Sequence, residues 1–281
     1  KRTHVQITGK GLATDSSAID VVVLADSANI YGALADSLRA DVRHVNGVGT
    51  LALIAVGAER AYATRGDFRV DSTGTAISVR ELVGGSNAQP WSLAQPFSLR
   101  VGRNGLQADS FAFHQTNGTG RANGFGKLAW TRSRADSVAA APEPLDFTLA
   151  LQRVPLQDYL RFIKNKTATG TADGNIRITG TAGEPIIDAT ADVSELAYGD
   201  PRFDRLSSKF AYAEHRIAAS IEGQQRGRQV LSGSGQIPLD LGFVPLDRRS
   251  LDEPLEFSVR SDSLPVVLVT NLVSGFRNVA G

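Results

Sequence analysis

Apolar and polar residues alternate along much of this chain. Residues 97–101 (FSLRV) and 187–193 (IDATADV) are clear examples, and similar stretches recur from residue 19 to residue 259. Successive side chains of a β-strand point to opposite faces of a sheet, so this period predicts strands with one apolar and one polar face. Gly, Ser, Thr, Asn and Asp separate the stretches, which is typical of tight turns. The alternation therefore predicts a mostly β protein.

The composition of the 281 residues excludes several other classes of protein. Hydrophobic residues make up 42% and charged residues 21%, which is typical of a folded chain. The 30 Lys and Arg nearly balance the 29 Asp and Glu, so the charge does not favour a nucleic acid or a charged membrane surface as a partner. Because the chain has no cysteine, it has no disulfide and no thiolate metal site.

The ends of the sequence are typical of a piece of a longer protein. The chain contains no Met, and Lys1 is not followed by a signal-peptide pattern. No apolar run approaches the roughly 18 residues that a membrane-spanning helix needs. We therefore expect any membrane anchor to lie outside this sequence.

The sequence contains none of the common catalytic patterns. The four histidines have no metal-ligand spacing between them, and the chain has no G-x-S-x-G, P-loop or H-E-x-x-H pattern. The glycine-rich stretch 118–126 lacks the Lys-Ser/Thr and the helix of a phosphate-binding loop, so it predicts a turn. The sequence nominates no catalytic residue, no metal site and no cofactor, and we expect the protein not to be an enzyme.

A longer pattern occurs twice. Residues 143–160 (EPLDFTLALQRVPLQDYL) and 253–272 (EPLEFSVRSDSLPVVLVTNL) both give an alternating strand, a proline and then apolar residues at helical spacing. Because each repeat contacts mainly its neighbours, the pattern predicts one continuous, elongated β-repeat body over residues 1–281. The predicted units are 18–143, 144–253 and a truncated 254–281. Short amphipathic helices are predicted at 29–41 and 156–164. Residues 266–278 are apolar nearly all round and fit a buried helix or a strand, and we predict a helix there because the counterpart at 156–164 is one.

The stretch 144–200 resembles the TamB branch of the AsmA-like superfamily. In that branch an alternating strand and a short Pro-Leu helix lead to a G-x-[IL]-x-[IL]-x-G-[ST] strand and then to a strand that contains proline. The matching parts here are residues 145–151, 155–156, 174–181 and 185–191. Residues 231–241 (LSGSGQIPLDL) are similar to the ending of a later strand of the family. The likeness extends from about residue 95 to the end of the chain, and more weakly over residues 18–85.

The resemblance implies an envelope protein of a diderm bacterium that is anchored in the inner membrane and crosses the periplasm. Its strands would curl into a half-pipe, the β-taco, whose apolar groove carries phospholipid acyl chains towards the outer membrane. Members of this branch pair with an outer-membrane β-barrel assembly partner. On this reading about 20 strands would give a groove near 95 Å long. The candidate groove residues are Leu145, Phe147, Leu149, Leu151, Ile176, Ile178, Ile187, Val193, Leu255, Phe257 and Val259.

Three other functions fit parts of the same pattern. The sheet could chaperone outer-membrane proteins or autotransporters by pairing with their strands at an exposed edge. It could also be a purely structural β-repeat, in which the alternating residues cover one another. A glycan-acting enzyme would need clustered carboxylates and aromatic platforms, and Trp91 and Trp130 are the only tryptophans. The sequence does not identify the lipid, its direction of travel or the position of the helices relative to the groove.

Overall fold

The computed structural model describes residues 3–10, 18–30, 33–87, 89–130, 144–157, 168–198 and 202–262. Within these ranges all the regular elements are strands, and Gln157 alone has helical backbone. Seventeen of the strands form one antiparallel sheet, and β3 and β4 form a separate hairpin. The strands are β1 (Thr3–Lys10), β2 (Ala18–Ala25), β3 (Ala28–Ile30), β4 (Ala33–Ala35), β5 (Ser37–Val45), β6 (Val48–Val56), β7 (Arg60–Asp71), β8 (Gly74–Ser86), β9 (Pro90–Leu93), β10 (Phe97–Gly102), β11 (Gly105–Gln115), β12 (Arg121–Ala129), β13 (Asp146–Pro155), β14 (Ala168–Gly180), β15 (Pro185–Tyr198), β16 (Arg202–Ala213), β17 (Arg216–Gln225), β18 (Arg228–Pro238) and β19 (Glu256–Ser261).

The strands of the large sheet follow one another almost in chain order. Neighbouring strands run in opposite directions, so the described turns between them alternate between two long sides of the sheet. We call the side that carries the turns 45–48, 102–105, 180–185 and 213–216 margin 1, and the opposite side margin 2. This chain-order pairing produces a long sheet that grows by one strand per turn.

One strand position is shared by β9 and β10. β9 pairs with the later part of β8 and the end of β11, whereas β10 pairs with the earlier part of β8 and the start of β11. Pro96 lies in the break between them and has no N–H to give to a ladder. The N–H of Ala94 donates to the carbonyl of Ala112 at 2.8 Å, so the sheet continues across the break.

Several strands contain bulges. The register shifts in five of the strand pairs, for example between Leu151 and Val154 of β13 and between Ala108 and Phe111 of β11. Glu195 of β15 lies in the left-handed region, with φ of 54°. Because a bulge bends its strand and increases the local twist, these shifts curl the sheet. The prediction of a mostly β protein built as one long curled sheet is confirmed.

The helix predicted at 29–41 is wrong, because this range holds β3, β4 and the first part of β5. Leu38 and Ala40 pair with β2 on one side and with β6 on the other, so a helix here would leave backbone groups of both strands unpaired. The few apolar positions of the range fit a period of 3.6 as well as a period of 2. Most of the helix predicted at 156–164, and all of that at 266–278, lies outside the described residues.

The described residues bury few large apolar side chains. Their one buried hydrophobic cluster consists of Ala129, Leu145 and Ala182. Extensive contacts between strands occur only between hydrogen-bonded neighbours in the described part of the chain. In a β-sandwich, by contrast, a second sheet would cover the apolar face of the first. The large sheet is therefore a single layer over the ranges that the structure describes.

Candidate functional site: an apolar face across the sheet

Paired residues of an antiparallel sheet point to the same face, so the strand register traces rows of side chains across the sheet. The first row crosses fourteen strands from β2 to β18 without a break. Thirteen spacings of about 4.8 Å give this row a length of roughly 62 Å along the sheet. Its members are Ile19, His44, Gly49, Phe68, Ile77, Leu99, Ala108, Gly126, Phe147, Ile178, Ile187, Tyr212, Ile217 and Ile237.

Two further rows lie beside the first row on the same face. The second row consists of Val21, Val42, Leu51, Gly66, Val79 and Phe97, followed by Phe111, Gly124, Leu149, Ile176, Ala189, Phe210, Ala219, Gly235 and Phe257. The third row consists of Val23, Ala40, Leu53 and Thr64, followed by Leu93, Phe113, Ala122, Leu151, Gly174, Ala191, Ser208, Ile221, Gly233 and Val259. No member of the three rows is Asp, Glu, Lys or Arg, and we call these rows the apolar face.

Eight of the eleven predicted groove residues lie on the apolar face, and a ninth lies beside it. The eight are Phe147, Leu149, Leu151, Ile176, Ile178, Ile187, Phe257 and Val259. Val193 pairs with Ala172 and Leu206 in the row beyond Leu151. Leu145 precedes β13 at margin 1 and is only 3% exposed, whereas Leu255 precedes β19 and is 56% exposed. The structure therefore brings nine of the predicted residues onto one side of the sheet.

Several residues of the same rows are not among the predicted groove residues. Ala189, Phe210 and Ile221 continue the apolar face through β15, β16 and β17. The rows also extend over β2–β11, where no groove residue is predicted. The alternation in those strands is the signal that could have found these residues, whereas the selection followed the repeated segments.

The apolar face is only partly shielded from water. Phe147, Leu151 and Ile176 are half-buried. A cavity of about 590 Å³ lies over β13–β19, with Leu151, Ile176, Phe210 and Ile221 in its lining. Ligand sites in proteins have volumes of roughly 300–1,000 Å³. An aliphatic chain in this cavity would remove apolar surface of both partners from water, which is favourable.

The opposite face of the sheet is mostly polar. Salt bridges on this face join Arg43 to Asp20, Arg80 to Asp67 and Arg205 to Asp192, at 3.5, 2.9 and 2.6 Å. The Ser207 hydroxyl and the Arg205 guanidinium donate hydrogen bonds to Asp192, and they hold the pKa of that carboxyl below its ordinary value. Exposed ion pairs add little stability, so their main consequence is a well-hydrated face.

Curvature alone does not distinguish the two faces. A hollow of about 700 Å³ is lined in part by Asp188, Thr190, Lys209 and Gln236 of the polar face. The twist of a large sheet makes each face concave along one diagonal, so hollows on both sides are expected. The chemistry of the lining distinguishes them, because charged and amide groups form part of the lining of one hollow, whereas the lining of the other is almost entirely apolar.

Three phenylalanines contact one another on the apolar face. The ring centroid of Phe111 lies 5.7 Å from that of Phe97 and 5.8 Å from that of Phe113, and the centroids of Phe97 and Phe113 are 6.4 Å apart. A Cβ placed on Gly124 would come within 2.6 Å of the Phe111 ring. Glycine at this position therefore lets the ring lie flat against the neighbouring strand.

Comparison of the chain with known protein families, with curated proteins and with solved structures finds no match. No helix in the described residues is long and apolar enough to cross a membrane. These residues also contain no group of three or more His, Asp or Glu side chains that could hold a metal ion. The apolar face is therefore the feature on which a functional proposal rests.

Proposed function

We propose that this chain is part of a periplasmic bridge-like lipid transfer protein whose apolar face shields phospholipid acyl chains between the inner and outer membranes. One observation carries the proposal. Three side-by-side rows without a charged residue run across the sheet, and in the described ranges no second sheet covers them. The proposed compartment, the inner-membrane anchor outside this sequence and the outer-membrane barrel partner rest on the resemblance to the TamB branch.

Simple energetics support a lipid as the occupant of the apolar face. Each acyl methylene that leaves water contributes about 0.8 kcal/mol, so a single chain gains several kcal/mol on binding. The three rows present aliphatic and aromatic side chains with no ionic group to fix one position of the chain. A bound lipid can therefore slide along the rows, while its head group stays in water. This transfer needs no catalytic residue and no cofactor.

A second candidate function is assistance to outer-membrane proteins during their assembly. All six residues of β19 are exposed, and β18 is its one partner strand among the described residues. Phe257 and Val259 are 55% and 48% exposed on this strand. An exposed edge strand can accept an extended client strand by β-augmentation. A purely structural repeat fits less well, because it needs a second layer over the apolar rows.

A vesicle transfer assay with a matched pair of variants tests the lipid proposal. Ile176→Asp puts a carboxylate on the apolar face, whereas Asn175→Asp puts the same charge on the polar face of the same strand. We expect Ile176→Asp to lower the transfer rate of a fluorescent phospholipid by about tenfold or more, because burying an unpaired charge is costly. Asn175→Asp should transfer at the rate of the unmodified chain. Equal rates for the two variants would contradict the proposal, as would an unmodified chain that transfers no lipid.

A further inference from the structure

The connection between β18 and β19 crosses the apolar side of margin 1. We call residues 239–250 the strap. The backbone N–H of Leu239 donates to the carbonyl of His215 at 2.9 Å, and that of Phe243 donates to the carbonyl of Ala182 at 2.7 Å. The N–H of Leu241 donates to the Tyr212 hydroxyl oxygen at 2.9 Å. The strap therefore runs from the end of β18 past the turn before β17 to the turn between β14 and β15.

The apolar residues of the strap cover part of the apolar face along margin 1. Phe243 and Val244 pack against the buried cluster of Ala129, Leu145 and Ala182. Ile178, a member of the first row, packs against the same cluster. Tyr212 of the first row is only 1% exposed, and its burial raises the pKa of its phenol. The strap thus supplies a local cover where the rest of the apolar face has none among the described residues.

Polar contacts hold the strap in place. Within it, the Gly242 N–H donates to the Asp240 carboxylate at 2.7 Å, and Arg249 donates to the backbone carbonyls of both residues at 3.1 Å. His215 lies between two carboxylates, with Nε2 3.2 Å from Glu184 Oε1 and Nδ1 3.3 Å from Asp240 Oδ2. The bonds within the strap fix its shape, and its backbone N–H bonds to His215, Tyr212 and Ala182 fix its position against margin 1.

Strand β13 shows how far this cover reaches. Leu145, just before the strand, lies beneath the strap and is buried. Leu151 follows six residues later, is half-buried and lines the open cavity. Six residues of strand correspond to about 20 Å, which is longer than the side chains of Phe243 and Val244 can reach.

We propose that the strap is a built-in cover that excludes an aliphatic ligand from margin 1 of β12–β17 and confines it to the rows of Leu149 and Leu151. This inference rests on the proposed lipid-binding function of the apolar face. It makes Phe243 and Val244 residues that set the extent of the site, because their side chains occupy space that an acyl chain would otherwise fill.

Cysteine labelling tests the strap directly, because this sequence contains no cysteine. The variants Leu145→Cys and Leu151→Cys each introduce a single thiol on β13 or next to it. The probe is a phospholipid with an iodoacetamide group at the end of one acyl chain. We expect Leu151→Cys to be alkylated at least about tenfold faster than Leu145→Cys, because a covered site reacts only after local opening. Adding Phe243→Ala and Val244→Ala should bring the Leu145→Cys rate close to that of Leu151→Cys.

The possible results separate the strap from the lipid proposal. Equal alkylation rates of Leu145→Cys and Leu151→Cys with the strap intact would overturn the cover. Alkylation of neither thiol would contradict lipid binding, and a small water-soluble disulfide reagent would then decide about the strap alone. With that reagent, the cover is supported if Leu145→Cys reacts slowly and Val244→Ala raises its rate. The cover is overturned if Leu145→Cys and Leu151→Cys react at equal rates.

Discussion

Replacing Leu145 and Leu151 separately by alanine compares a closed part of the sheet with an open one. Both residues are leucines of the same segment, and both are predicted to line the groove. Leu145 packs beneath Phe243 and Val244 of the strap. Leu151 has only the small residues Ala122 and Gly174 as its cross-strand neighbours, and it is half-buried. The two substitutions remove the same atoms from different surroundings.

The structure predicts different costs for the two substitutions. Leu145 is 3% exposed, so its loss should leave a cavity and lower the free energy of unfolding by about 2–4 kcal/mol. Leu151 already exposes part of its side chain, and the loss of three partly hydrated carbons should cost about 1 kcal/mol or less. Urea denaturation followed by circular dichroism measures both values. The reasoning is refuted if Leu151→Ala costs as much as Leu145→Ala, because a second layer would then have to cover the open rows.

Three further predictions test individual contacts. Gly126 has a φ of 127°, and a Cβ there would collide with a carbonyl oxygen of β13. Gly126→Ala should therefore lower the free energy of unfolding by about 1–3 kcal/mol. Gly183 has open space around it, so Gly183→Ala should change that free energy by less than about 0.5 kcal/mol. Hydrogen bonds from Thr73 hold the pKa of Asp71 well below its ordinary value, so the unfolded state binds the proton first, and stability should fall below about pH 4. Asp71→Asn should flatten this fall in urea titrations between about pH 4 and pH 2, and an unchanged slope would contradict the assignment. Tyr212→Phe leaves an N–H of the strap without its acceptor and should cost about 1 kcal/mol in the same titration at neutral pH, whereas no loss would show that the bond does not hold the strap.

The strands were readable from the sequence because period 2 is a direct consequence of strand geometry. The alternation at 187–193 predicts which side chains share a face, and the pairing of Ile187 with Ile178 and Tyr212 confirms this. At 29–41 the same reasoning failed, because three or four apolar residues fit either period. Residues 37–45 form a strand because β2 and β6 each need a hydrogen-bonding partner.

The strap could not be predicted from periodicity. Residues 241–247 (LGFVPLD) are apolar and contain proline, but they lack any repeat and resemble an ordinary strand ending. Whether the strap covers Leu145 depends on its path along margin 1. That path is set by which strands pair in the sheet, and no local sequence pattern encodes it. The bulges were equally hidden, because Arg153 and Glu195 take positive φ values without being glycine or asparagine. The two adjacent apolar residues Phe243 and Val244, in a segment rich in turns, are the signal that could have suggested a cover.

The central claim is that the apolar face binds lipid, and extraction of bound lipid tests it most directly. The chain would be purified from bacterial cells without detergent, extracted with organic solvent and examined by mass spectrometry, alongside Leu149→Asp on the apolar face and Thr148→Asp on the polar face. We predict that phospholipid accompanies the unmodified chain and Thr148→Asp and is lost from Leu149→Asp. A stable, folded chain that carries no phospholipid, or equal lipid in both variants, would contradict the account.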